Sequence, residues 1–142
     1  MNSEELLNEK KIERVESRTF DSKPAEQDLE FAKNGLITRN YNRVMSIAYE
    51  SVLRIGNRLM NFLGYRSIGK EHHKNTFEFL RTVNVDPDLI DYFDNIRKKR
   101  NDFIYRDVEN ISREEAEDII KRAEEFVQKI RTFVQKIRTE KK

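Results

Sequence analysis

Apolar residues return along this chain every three or four positions, the spacing of one face of an α-helix. The widest such stripe runs from Tyr41 to Leu63, where Val44, Met45, Ala48, Tyr49, Val52, Ile55, Gly56, Leu59, Met60 and Leu63 predict a central buried helix. Asn40 stands where an N-cap belongs and Gly64 where a C-cap belongs. Upstream, Leu29, Ala32, Leu36 and Ile37 mark a helix opened by Pro24, and Leu6, Leu7, Ile12 and Val15 mark a weakly amphipathic one over Ser3 to Arg18. Downstream, Tyr65 to Gly69 reads as a loop, and Phe77, Leu80 and Val83 mark a helix from Glu71 onward.

Asp86 and Pro87 then cap and open a helix reaching Arg106, with Leu89, Tyr92, Phe93, Ile96, Phe103 and Ile104 on its stripe. Ser112 with Glu115 spells a capping box ahead of Ile119, Ile120, Ala123, Phe126, Val127, Ile130, Phe133, Val134 and Ile137, the longest predicted helix. Inside it, Phe-Val-Gln-Lys-Ile-Arg-Thr occurs at 126–132 and again at 133–139, which lays Phe126, Ile130, Phe133 and Ile137 along one seam. The seam reads as an extended core helix; a helix protruding to meet a partner is the alternative. Short connections favour antiparallel neighbours. The expected fold is all-α, an antiparallel up-and-down four-helix bundle core with an extra N-terminal helix: residues 1–22 form the extension and 23–142 the bundle.

Composition narrows the chemistry. The 142 residues make one domain, and only four Gly and two Pro interrupt them. Cysteine is absent, which excludes disulfides, thiolate catalysis and Cys-ligated metals. The N-terminus lacks a signal-peptide layout and no apolar run approaches a membrane span, so a cytoplasmic protein with no membrane contact is expected. Charge nearly cancels to +2 but is segregated: residues 1–30 hold nine acids and five bases, and residues 126–142 hold six bases and one acid.

One stretch departs from the pattern of solvated charge. On the helix from Pro87, the apolar steps Leu89, Phe93, Ile96 and Phe103 leave a slot at Arg100. A guanidinium on an apolar stripe needs a carboxylate, a carbonyl cage or a ligand anion, because it stays charged and carries five donors. Glu50 of the central helix is the candidate internal partner. The competing reading is an anion site, with Tyr105 about 140° further round the helix and Arg97, Lys98, Lys99 and Arg106 as a phosphate-attracting surround. His72 and His73 are adjacent and point about 100° apart, so they do not chelate one ion as an i, i+4 pair does; no metal site and no cofactor are expected.

Arg100-Asn101 after a basic run, Ala48-Tyr49-Glu50 in the central helix, Gly64-Tyr65-Arg66 followed by His72-His73, and Phe93 through Tyr105 together resemble the HEPN superfamily. Its motif is an Arg, a polar residue next, and a His some five residues after the Arg. The resemblance implies a helical bundle paired as a homodimer, often a metal-independent RNase toxin beside a nucleotidyltransferase antitoxin. It implies a catalytic set of Arg100, which would hold the phosphate, Asn101, its orienting neighbour, and Tyr105, which stands where the His is expected. A phenol titrates near pH 10 and is a poor general base at neutral pH. The expected function is therefore an RNA- or nucleotide-phosphate-binding, dimerising component of a toxin–antitoxin or defence-like module. The alternatives are an active endoribonuclease using Arg100 and Tyr105, with Glu50, His72 or His73 in support, and a structural dimerisation module.

Overall fold

The computed structural model describes the backbone of residues 1–106 and 111–140 and the side chains of 1–99 and 111–140. In chain order the elements are α1 (Ser3–Asn8), β1 (Ile12–Arg14), α2 (Lys23–Ile37), α3 (Tyr41–Leu63), β2 (Tyr65–Ser67), α4 (His72–Val83), α5 (Pro87–Arg106) and α6 (Arg113–Glu140). The fold is an all-α bundle with one two-stranded clasp among the described residues. No described helix is long and apolar enough to cross a membrane.

The caps explain where several helices begin. Asp86 accepts from the Leu89 amide at the start of α5, and Ser112 and Glu115 exchange bonds at the start of α6, the Glu115 amide donating to Ser112 Oγ at 3.1 Å. Gly64 ends α3 at φ +92°, the left-handed conformation that glycine adopts without a Cβ penalty. Asn40 precedes α3 but makes no side-chain cap bond.

α3 is the axis of the core, with Val44, Ala48, Val52, Ile55, Leu59 and Met60 all inaccessible to solvent. Contacts set the directions. Asp28 meets Arg54, and Lys33 meets Glu124 while Glu26 meets Arg131, so α2 runs opposite to both α3 and α6. Lys129 beside Asp86 and Arg122 stacked on Tyr92 make α5 and α6 antiparallel. Thus α2, α3, α5 and α6 alternate in direction. α4 is inserted in the α3-to-α5 connection and runs in the same sense as α3: Tyr49 touches His73 and Phe77 near its start, and Gly56 faces Thr76 and Leu80 further on.

Two local expectations are corrected. A helix over Ser3 to Arg18 does not form: α1 stops at Asn8, Lys10 takes φ +58°, and residues 12–14 become a strand. The loop expected at Tyr65 to Gly69 holds its partner, with Ile12 opposite Ser67 and Arg14 opposite Tyr65 in antiparallel register. The cause is burial: Leu6 and Ile12 form a second apolar cluster with Met60 and Phe79, and an extended chain buries Ile12 while Glu13 pairs with Arg66 outside. Ile37, counted with the apolar stripe of α2, is 81% exposed at that helix's last turn.

α2 and α3 approach closely at Gly35. A Cβ built there falls 2.5 Å from Val44 Cγ2, on a stiff and fully buried side chain, and 3.3 Å from the Asn40 carbonyl. Gly35→Ala should therefore lower the unfolding free energy by about 1–3 kcal/mol, although alanine is the better helix former by roughly 1 kcal/mol. Chemical denaturation of the variant checks the sign.

Candidate functional site

α5 carries the predicted chemistry. Leu89, Phe93 and Ile96 are buried as expected, and the helix continues through Arg106. Arg100, Asn101, Tyr105 and Arg106 thus lie on its last turns, and their side chains lie outside the described residues, as do those of Phe103 and Ile104, which were expected on the apolar stripe. The described part of the site is what surrounds them.

Lys98 and Lys99 are exposed, and neither has a carboxylate partner among the described residues. Arg97 differs from them: its side chain is 15% exposed, and its Nε donates to Asp94 Oδ1 at 2.8 Å. Asp94 is buried and accepts a second bond at Oδ2 from Arg81 of α4 at 3.0 Å; Arg81 also donates to Asp91 at 2.9 Å. Burial alone would raise the Asp94 pKa, but the bonds from Arg97 and Arg81 outweigh it and hold the carboxyl below the usual carboxylate range. Burial alone would lower the Arg81 pKa, but the bonds to Asp94 and Asp91 outweigh it and push it up, so this guanidinium remains charged.

The other candidates lie on α4 and α3: His73 is in the first turn of α4, eight residues before Arg81, with Tyr49 of α3 beside it. The His73 ring is 6.4 Å from that of Tyr49 and 4.4 Å from that of His72. His72 Nδ1 is 3.2 Å from the Gly69 carbonyl, holding the loop into α4. Glu50 occupies an exposed position on α3, and the pairing with Arg100 expected of it lies outside the described residues. Among the described residues no three acids or histidines converge as a metal site would.

A cleft of about 690 Å³ opens at the opposite end of the bundle between the start of α2 and the end of α6. Its arginines are already engaged, Arg131 by Glu26 at 2.9 Å and Arg138 by the Phe20 carbonyl at 3.1 Å. Size alone does not make it the site.

The HEPN domain family model matches residues 22–133, most of the chain and all of α5. The chain belongs to the HEPN family. The match spans the bundle helices α2 to α5 and most of α6, and Arg100-Asn101 lies within it on the next-to-last helix. Comparison with curated proteins and with solved structures finds no match.

Asp94 and Arg81 are site neighbours that the periodicity of the chain did not reveal. Asp94 three residues before Arg97 is a readable helical pair. Arg81, thirteen residues before Asp94, becomes a neighbour only when α4 and α5 fold back on each other.

Proposed function

We propose that this HEPN domain binds the phosphate backbone of RNA through the basic face of α5, without efficient turnover. The observation that carries the reading is the pair of exposed lysines, Lys98 and Lys99, with no carboxylate partner among the described residues, next to Arg97 and about two turns before Arg106. Exposed cations in a row attract a polyanion by releasing its counterions. Arg100 is assigned to the scissile or bridging phosphate and Asn101 to orienting it. Tyr105, in place of a histidine, supplies a hydrogen-bond donor and no base near neutral pH. In this reading the domain works as a homodimer, beside a nucleotidyltransferase antitoxin of a toxin–antitoxin or defence-like module.

The test uses end-labelled, mixed-sequence single-stranded RNA in EDTA. The wild-type chain should bind it and leave it intact, and Arg100→Ala should weaken binding about tenfold. Cleavage that disappears in Arg100→Ala would establish the nuclease alternative instead. Absence of RNA binding would leave the dimerisation module.

A further inference from the structure

The ionic cluster around Asp94 has two halves with different consequences. Arg81 reaches from α4 to both Asp91 and Asp94 of α5, so it ties two helices together. Arg97 lies on the same helix as Asp94, three residues on, so its bond adds no link between helices. What that bond does is fix a long side chain. Arginine carries five N–H donors, and here only Nε–H is used; the four on the two terminal nitrogens have no acceptor among the described residues. At 15% exposure the guanidinium has given up much of its hydration, and beyond the Nε bond no described residue accepts from its fork. Planar forks of this kind match the paired oxygens of a phosphate.

We propose that Asp94 is a positioning residue for RNA binding: it grips Arg97 by Nε and presents the free guanidinium edge to a backbone phosphate, while Arg81 neutralises the carboxylate. The inference rests on the RNA-binding reading and adds to it a pre-organised contact one turn from Arg100. Pre-organisation matters because an arginine otherwise gives up side-chain entropy on binding. Lys98 and Lys99, exposed and unheld, supply field; Arg97 supplies geometry.

The test is a double-mutant cycle on the affinity of the full chain for fluorescein-labelled, mixed-sequence single-stranded RNA. Asp94→Asn, Arg97→Met and the double variant are compared with wild type, each with its fold checked by circular dichroism. Asp94→Asn should weaken binding about tenfold, Arg97→Met about as much, and the double variant no more than Arg97→Met alone. Removing an acid near a polyanion site tightens binding if only the field matters, so the sign separates positioning from charge. Tighter binding by Asp94→Asn, or losses that add in the double variant, overturns the proposal.

Arg97→Lys guards against misfolding of the Asp94 variant, because it keeps the charge and leaves the bridge from Arg81 to Asp94 in place. It should lose about tenfold in affinity, lacking the fork, with an unchanged melting temperature. Wild-type affinity in Arg97→Lys overturns the proposal. A wild-type chain that binds no RNA removes this inference together with the RNA reading. RNA binding indifferent to residues 94 and 97 removes this inference alone.

Discussion

Replacing Phe126 by alanine should lower the unfolding free energy by about 4 kcal/mol. The ring is fully buried and packs against Phe93 with centroids 6.1 Å apart, so truncation removes transfer energy, a ring pair and the filling of a cavity between α5 and α6. The duplicated segment supplies a control within the same helix. Phe133 has the same neighbours in sequence, Val-Gln-Lys-Ile-Arg-Thr, yet is only partly buried. Phe133→Ala should cost about 1–2 kcal/mol, in proportion to the smaller apolar area it removes from water. Urea titration of the two variants makes the comparison. Equal losses would mean that α6 does not sit in the register described.

Asp94→Ala is the second large effect, about 3 kcal/mol. It strands the charge of Arg97, which is mostly buried, whereas Arg81 is more than a third exposed and rehydrates, so the lower end of the usual cost applies. The pH dependence has a defined sign. The folded pKa of Asp94 is depressed, so its contribution is complete above the unfolded carboxylate value near 3.9 and is lost as pH falls through the folded value. Wild type and Asp94→Ala should therefore converge in stability as the solution is acidified below about pH 4. Urea midpoints measured at neutral and acidic pH test this.

The bundle was legible from the chain because its signals are local. The stripe from Val44 to Met60, the capping box at Ser112 and Glu115, and Asp86-Pro87 each depend on residues within a turn or two of one another. The clasp was not, since β1 is three residues long and its partner lies about fifty residues away, with Ile12 buried only because Met60 and Phe79 reach it. The direction of α4 was hidden for the same reason. At the site, the basic run of α5 was readable, but Arg97 read as one more member of the phosphate-attracting surround, no different from Lys98 and Lys99. Its attachment to Asp94, and Asp94's to Arg81, separates one arginine of the run from the two lysines.

The most direct test of phosphate binding by α5 is the salt dependence of RNA affinity in wild type and in the Lys98→Ala, Lys99→Ala double variant. Each phosphate contact to single-stranded RNA contributes about 0.7 to the slope of log K against log salt. Between about 50 and 200 mM salt, the double variant should show a slope shallower by roughly 1.4 and a weaker affinity at every salt concentration. Identical slopes in the two proteins would contradict RNA binding through this face.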